Sequence, residues 1–329
     1  MSNTTYPDFA DVKGQGRLVK ACAVAASGKH NLLIIGPPGS GKTMVARRMQ
    51  GILPFTASER EEALAVYDRM GFDTSAKDYL LQVPFRAPHH TISINGIIGQ
   101  TRRGKVYPGE AVLANTGLLF LDELAEFPRQ VLEGLRPAME QKQISVYGSY
   151  DKKEKTMLPE NFAANFILVG SMDECPCGRW KTKDCSCSKD QTDRYHKRIL
   201  PLLEYFDLVV LVEHISFKKL ADMPQEWDSN QLLEKVVVAR YRQMHRSALF
   251  NGEYKPEHLS RYAKFFGYNA QELMEQYIQE KDLTAKQFDS VLRVARTIAD
   301  MKGKQHITRG CLAEAISISR PENWPPSTK

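Results

Sequence analysis

Three groups of residues carry chemistry by type and spacing. The first is Gly36-Pro37-Pro38-Gly39-Ser40-Gly41-Lys42-Thr43, followed by Met44. It has the form Gly-x-x-x-x-Gly-Lys-Thr. Glycines let backbone N–H groups turn inward on phosphate oxygens, and a helix start behind them adds partial positive charge. Lys42 is the residue to reach the β- and γ-phosphates, and the Thr43 hydroxyl the one to hold Mg²⁺. The second group is Asp122-Glu123, which ends the apolar run Gly117-Leu118-Leu119-Phe120-Leu121. Two adjacent acids delivered by a buried strand suit metal-assisted phosphoryl transfer. Asp122 would hold the metal, directly or through water, and Glu123 would polarise the attacking water. A solvated strand end reads the same way, and the upstream Gly-Lys-Thr loop favours the chemical reading. The third group is cysteine. Four of the six sit in two Cys-x-Cys pairs, Cys175/Cys177 and Cys185/Cys187. Two such pairs can close a tetrahedral zinc site with no open position, hence structural. The competing reading is four reduced thiols in a loop. No histidine lies in that loop to activate a catalytic thiol.

These groups need elements to position them. Leu32-Leu33-Ile34-Ile35 is a short buried strand leading into the phosphate loop, and the helical pattern Met44 to Met49 leads out of it, to about Gly51. Strand, glycine loop and helix together are the context in which this motif binds phosphate. Before it, Arg17 to Ser27 reads as a helix ended by Gly28, and residues 1–10 as a loose leader. Ser58 to Met70 reads as a helix with acids in its first turn. Residues 83–115, rich in Gly, Pro, Arg and His, read as loops and short hairpins inserted between core elements. A helix is expected over 128–141, with Val131, Leu132, Leu135 and Met139 on one face. Ile144 to Met157 reads as a hairpin turning at Asp151-Lys152-Lys153-Glu154-Lys155. Phe166 to Gly170 and Leu208 to Val212 are further buried strands. Strands alternating with helices predict an α/β fold, a parallel sheet flanked by helices. After His214 helices are suggested at 229–246, 256–265, 269–280, 284–302 and 308–319, and the tail Pro321 to Pro326 cannot continue a helix. The expected division is therefore residues 1–214, a nucleotide-binding domain with hairpin insertions and the cysteine-rich loop 175–187, and residues 215–329, an all-helical lid.

Composition bounds the rest. The chain has 329 residues, 42% hydrophobic and 26% charged, with a net charge of +6. That is ordinary for a soluble globular protein, and the mild basic excess suits nucleic acid without demanding it. No apolar run is long enough for a membrane span, and the polar N-terminus does not read as a signal peptide. A cytoplasmic location is expected, in which clustered cysteines point to metal rather than disulfides.

The loop, the Leu-Phe-Leu-Asp-Glu strand, the sheet and the trailing helices resemble an AAA+ ATPase. Phe85-Arg86-Ala87-Pro88-His89-His90-Thr91, Tyr107-Pro108-Gly109-Glu110, Glu174-Cys175-Pro176-Cys177-Gly178 and Val294-Ala295-Arg296-Thr297-Ile298-Ala299-Asp300 narrow this. Together they are similar to the magnesium-chelatase-like ComM/YifB family, from about Asp8 to Arg320. Members of that family usually carry an additional N-terminal Lon-like domain, which this sequence is expected to lack. The resemblance implies ATP and Mg²⁺ as ligands and a homo-oligomeric, hexameric ring that uses ATP hydrolysis to move on DNA. Two other readings remain open. One is a hydrolysis-impaired, ATP-gated scaffold that recruits a partner protein; the other is a chelatase- or chaperone-type motor that remodels a protein.

Three positions depart from the family pattern. Asp173 stands where the resemblance implies a water-positioning Asn; an ionised Asp accepts but does not donate. Tyr205 stands where it implies an arginine finger, a group that can be worth several powers of ten in rate. Lys286 stands where it implies a lid Arg, keeping the charge without the fork. Arg194 and Arg198 are candidate substitutes for the finger. The nucleic-acid candidates are Arg86, His89, His90, Arg102, Arg103 and Lys105, with Lys152, Lys153 and Lys155 on the second hairpin and Phe85 and Tyr107 as stacking aromatics. For the histidine pair a packed turn or a subunit contact is the favoured alternative, and for Arg102-Arg103 a solvated loop is an equal one. His196 reads as a surface residue rather than a fifth metal ligand.

Overall fold

In the computed structural model, residues 7–74, 80–103, 105–151, 156–180, 182–214, 223, 227–255, 266–281 and 283–319 are described. Nine strands lie among them: β1 (Leu32–Ile35), β2 (Phe85–Arg86), β3 (Gly99–Arg102), β4 (Lys105–Pro108), β5 (Leu118–Leu121), β6 (Gln143–Asp151), β7 (Thr156–Ala163), β8 (Ile167–Met172) and β9 (Leu208–Leu211). Five of these form a parallel sheet in the order β2-β5-β8-β1-β9. Every residue of β1, β5 and β8 is buried. A strand covered on both faces has no solvent side, which is why these runs are continuously apolar rather than alternating.

Helices cover both faces. Leu32, Ile34, Leu118, Phe120, Val169 and Val210 point to one apolar cluster, and Leu33, Ile35, Leu119, Leu121, Leu168 and Val209 to the other, as a period of two requires. The first cluster takes in α1 (Gly16–Gly28), α2 (Lys42–Arg48) and the C-terminal helices. The second takes in α4 (Ile94–Ile98), α5 (Glu110–Leu113), α6 (Arg129–Gly134), α7 (Arg136–Gln141), α8 (Lys189–Arg198) and α9 (Leu200–Leu203). The remaining early helix, α3 (Ala57–Arg69), starts at a Thr56–Glu59 capping box. At the C-terminal end lie α10 (Ser229–Ser247), α11 (Tyr268–Lys281), α12 (Ala285–Met301) and α13 (Arg309–Ser319), close to four of the five helices expected there. The fifth, at 256–265, lies outside the described residues, as do Lys152, Lys153, Lys155 and the tail from 320. Val291, Leu292, Ala295, Ile298 and Ala299 of α12 are buried, and they form the stripe that marked this helix in the sequence.

Four expectations need correction. Residues 1–10 are not all a loose leader: Phe9 is fully buried, and Asp8 accepts hydrogen bonds from the backbone N–H groups of Ala10 and Ser229, while residues 1–6 lie outside the described set. The 83–115 segment is not all insertion, because Phe85 and Arg86 form the edge strand β2 beside β5. Two residues are too few to show a period. The helix over 128–141 is two helices, broken at Leu135, with Pro137 in the first turn of α7 where its missing N–H does no harm. The phosphate-loop helix ends at Arg48 and gives way to a 3₁₀ turn, Met49–Ile52.

Candidate functional site

The phosphate loop leaves the sheet between β8 and β9, at the C-terminal edge, where ligands of open α/β sheets bind. Gly39 and Gly41 take φ of +76° and +86°, which a side chain would strain, so the loop can turn its amides inward. Lys42 is buried. Its ammonium group uses all three of its protons: on Gly36 O at 2.7 Å, Pro37 O at 3.0 Å and Asp173 Oδ1 at 2.8 Å. The Ser40 hydroxyl is buried in the loop with no hydrogen-bond partner among the protein atoms. An orphaned donor inside a glycine loop fits a phosphate oxygen. Met44, in the first turn of α2, is exposed.

Thr43 and Asp122 meet. Thr43 Oγ1 donates to Asp122 Oδ2 at 2.7 Å, and the buried Ser171 hydroxyl donates to the other carboxylate oxygen. Ligands about 2.1 Å from an octahedral Mg²⁺ stand about 3 Å apart, so this pair is spaced to share one. Glu123 follows in the left-handed conformation, φ +55°. A non-glycine residue held there is strained, and such strain is found at sites the rest of the structure over-determines. Its carboxylate lies 3.0 Å from His90 Nδ1. Thr43, Arg47, Pro88, His90, Asp122 and Glu123 line one cavity of about 310 Å³. The histidine turn is therefore a wall of this site. The sequence offered no sign of that pairing, nor of the role of Ser171.

The four cysteines also converge. Cys175 Sγ is 3.5 Å from Cys177 Sγ and 3.9 Å from Cys185 Sγ, and Cys177 Sγ is 3.7 Å from Cys185 Sγ; Cys187 completes the group, with all four sulfurs within 4.8 Å of one another. All four are free thiols. Zinc–sulfur bonds of 2.3 Å in a tetrahedron put the sulfurs about 3.8 Å apart, so the spacing of the donor set suits zinc. Burial pushes the Cys175 thiol up, whereas the Arg179 backbone N–H, first among several hydrogen bonds, pulls Cys177 down to about 6. His196 is not a surface residue. It is buried, its Nε2 lies 2.8 Å from Glu174 O, and burial lowers its pKa. A carbonyl only accepts, so Nε2 donates and His196 anchors the backbone next to Cys175.

This arrangement of phosphate loop, acids and sheet can now be set beside known proteins. Residues 8–220 match the family described as magnesium chelatase, subunit ChlI, and residues 226–319 match its C-terminal part. The chain belongs to the magnesium chelatase ChlI family. It has the AAA+ α/β fold expected of that family. It is 35% identical over 320 residues to YifB of Salmonella typhimurium, covering 96% of this chain and 61% of YifB. It is 35% identical over 312 residues to competence protein ComM of Haemophilus influenzae, covering 94% of this chain and 59% of ComM. A more distant match, 24% identical over 181 residues and covering 51% of this chain, is to Lon protease 2 of Bacillus subtilis, 33% of which is covered. The chain thus spans about three-fifths of the length of YifB and ComM.

Within this ChlI-family chain the departures from pattern fall in two places. Asp173 is at the phosphate loop. Tyr205 and Lys286 are not. Lys286 Nζ donates to Glu204 Oε2 at 2.6 Å, and the Tyr205 hydroxyl bonds Glu140, with Arg136 Nε 3.4 Å away. Glu204 and Tyr205 precede Leu208, which pairs with Leu32 at the start of β1. That is the opposite edge of the sheet from Lys42, a strand length of about 13 Å away. Lys286 therefore does not reach the phosphate loop of its own chain. Arg198 is engaged by Ala125 O at 3.2 Å and Glu126 Oε2 at 3.1 Å, while Arg194 is exposed.

The nucleic-acid candidates separate as well. Arg86 forks onto Glu110, with Nε to Oε2 at 2.6 Å and Nη2 to Oε1 at 2.8 Å, and Phe85 packs on the core beside Phe120. Both are half-buried and engaged within the chain. His89 stacks on His90 and reaches Thr91 Oγ1 at 3.0 Å. Arg102, Arg103 and Lys105 are exposed at the tip of the β3–β4 hairpin. Arg102 pairs with Lys105 and Gln100 with Tyr107, and directly opposed residues share a face. The second hairpin lies against the first, joined by Thr101 Oγ1 to Tyr147 O at 2.7 Å, and Tyr147 is 60% exposed. Tyr147 is an aromatic that the sequence did not single out. Among the described residues no helix is long and apolar enough to cross a membrane.

Proposed function

We propose that this chain is the ATPase module of a ring-forming motor that couples ATP hydrolysis to movement on DNA. The observation that carries the nucleotide part is the convergence of Lys42, Thr43, Asp122 and Glu123 on the phosphate loop at the C-terminal edge of the sheet. Gly36 to Met44 would cradle the phosphates. Lys42 would turn from its loop carbonyls to the β- and γ-phosphates. Thr43 and Asp122 would hold Mg²⁺, which supplies charge neutralisation for the leaving diphosphate. Glu123 would orient and deprotonate the attacking water. In this reading residues 1–214 form the nucleotide-binding domain and residues 215–329 the lid. The patch of Arg136, Glu204, Tyr205 and Lys286, remote from its own phosphate loop, would face a neighbouring copy's nucleotide in a homo-oligomeric ring. The DNA part rests on the exposed hairpin face of Arg102, Lys105 and Tyr107, with exposed Tyr147 on the second hairpin, which meets the first on its Thr101 side. The cysteine group is assigned to a structural zinc ion.

A second reading is favoured by the Lys42–Asp173 ion pair and by tyrosine at position 205: an ATP-gated scaffold that binds nucleotide, turns it over slowly and recruits a partner protein. Steady-state ATPase activity with and without DNA separates the two, with Lys42→Ala as control. Turnover that DNA stimulates and Lys42→Ala abolishes supports the motor. Nucleotide binding without turnover, with or without DNA, rejects it in favour of the scaffold.

A further inference from the structure

The cysteine knuckle is built onto the phosphate loop. The two segments leave the sheet side by side, and Gly36 N–H donates to Met172 O at 3.1 Å. Lys42 Nζ then meets Asp173. Beyond them Gly178 lies against Pro38. A Cβ built on Gly178 would stand 2.6 Å from Pro38 Cγ, 2.8 Å from Pro38 Cδ and 3.1 Å from Asp173 Oδ2. Only glycine fits so close, and its φ of +69° requires glycine again. The turn that presents Gly178 is set by the metal ligands. Gly178 directly follows Cys177, and its N–H donates to Cys175 O at 3.0 Å, so the residue that touches Pro38 closes a turn built on two of the ligands.

Apart from the His196 anchor on Glu174 O and two turn hydrogen bonds, Thr182 N–H to Arg179 O and Cys185 N–H to Thr182 O, the knuckle has little secondary structure to hold it. Among the described residues between Cys175 and Ser188 no helix or strand forms, and the sequence there is Pro, Gly, Ser, Thr, Lys, Arg and Asp apart from Trp180 and the cysteines. Such a segment buries too little apolar surface to offset the entropy of ordering it. Metal–thiolate bonds supply that deficit in small polar knuckles, whose folding and metal binding are one equilibrium. Asp173 directly follows β8, so its position is set by the strand and does not depend on the metal. What depends on the metal is the support under Pro38.

We infer that the metal-loaded cysteine knuckle is a buttress for the phosphate loop, so that zinc occupancy sets the affinity of the chain for nucleoside triphosphate. This rests on the assignments of the cysteines to zinc and of the loop to nucleotide made above. Removing the metal frees Gly178 from Pro38, and the loop then pays the ordering cost itself on binding phosphate.

The test measures the dissociation constant of a fluorescent ATP analogue with Mg²⁺, alongside zinc content, for protein as purified, stripped by chelator and reloaded with Zn²⁺. About one zinc per chain, affinity at least tenfold weaker on stripping, and recovery on reloading are the expected results. Gly178→Ala is the companion variant: its methyl group pushes the knuckle off Pro38 while all four thiols remain. It should keep its zinc and still bind the analogue several-fold more weakly. If stripping unfolds the chain, by circular dichroism, this variant alone decides. Zinc bound at one equivalent with unchanged affinity in Gly178→Ala, and in stripped protein that stays folded, overturns the buttress and leaves the zinc assignment standing. Absence of zinc removes the assignment and the buttress together. Failure of the zinc-loaded chain to bind the analogue removes the nucleotide reading instead.

Discussion

Asp173 Oδ1 lies 2.8 Å from Lys42 Nζ and takes one of the three donors of the lysine on which a phosphate loop depends. Nucleotide must compete with this carboxylate for Lys42. The competition is modest, because the Asp173 side chain is partly solvated. Asp173→Asn removes the rival charge and supplies an N–H donor at the γ-phosphate position. Its ATP affinity is expected to tighten about fivefold, the equivalent of about 1 kcal/mol for a partly exposed ion pair. Turnover should rise as well, because an amide can both accept from and donate to an attacking water. Titration with a fluorescent nucleotide and a steady-state assay measure the two. Weaker binding in Asp173→Asn would show that the pair organises the loop instead of blocking it.

In the proposed mechanism Glu123 and Lys42 divide chemistry from binding. Lys42→Ala removes a buried cation that nothing else at the loop replaces, and nucleotide binding should be lost at any practical concentration. Glu123→Gln keeps size and hydrogen bonding but cannot take a proton. Its nucleotide affinity should stay within about twofold while hydrolysis drops by about a hundredfold or more, the usual contribution of a general base. Equal loss of affinity in the two variants would contradict the assigned roles.

The sequence made some of this legible and hid the rest for physical reasons. β1, β5 and β8 are buried on both faces, so they stand out as unbroken apolar runs. The phosphate loop and the Asp122-Glu123 strand end are local patterns, and the structure brings them together at Thr43 and Asp122. The cysteine pairs are local too. β2 was hidden because two residues carry no period. The break between α6 and α7 was hidden by a good apolar stripe, although Gly134 and Pro137 marked it. The pairing of His90 with Glu123, the burial of His196 and the remoteness of Lys286 from Lys42 are set by how distant segments pack. No spacing within one segment encodes them.

Asp207 gives a pH dependence. Burial opposes its ionisation, but Arg293 Nη2 at 2.6 Å, His30 Nδ1 at 2.8 Å and Ser290 Oγ at 2.9 Å hold its carboxyl well below the usual carboxylate range. A carboxyl whose pKa is lower folded than unfolded stabilises the fold above its unfolded value, near 3.9, and loses that contribution as pH falls below it. Stability should therefore be full from neutral pH down to about 5 and fall steeply below about 4. Asp207→Asn takes the carboxylate away from half-buried Arg293, which keeps its bond to Tyr254 O, and should cost about 2 kcal/mol at pH 7. The variant should also show a shallower loss between pH 5 and 3. Urea denaturation of both proteins across that range tests this; parallel curves would place the acid sensitivity elsewhere.

The hairpin face yields the last prediction. Arg102 and Lys105 are opposed across the β3–β4 ladder on the face that carries Tyr107, and Arg103 is exposed at the turn beside them. All three cations are exposed, and none lines the cavity beside Thr43 and Glu123, so replacing them should leave the nucleotide site intact. Each phosphate neutralised by a cation releases counterions, and on single strands each contributes about 0.7 to the slope of log affinity against log salt. Arg102→Ala, Arg103→Ala and Lys105→Ala together should weaken single-stranded DNA binding at least tenfold and reduce that slope by about 2. Tyr147→Ala should weaken it by about 1 to 3 kcal/mol through lost stacking, with the slope unchanged. The two signatures distinguish charge from stacking in one salt titration by fluorescence anisotropy. Unchanged affinity and slope in the triple variant would move DNA off this face and strengthen the scaffold reading.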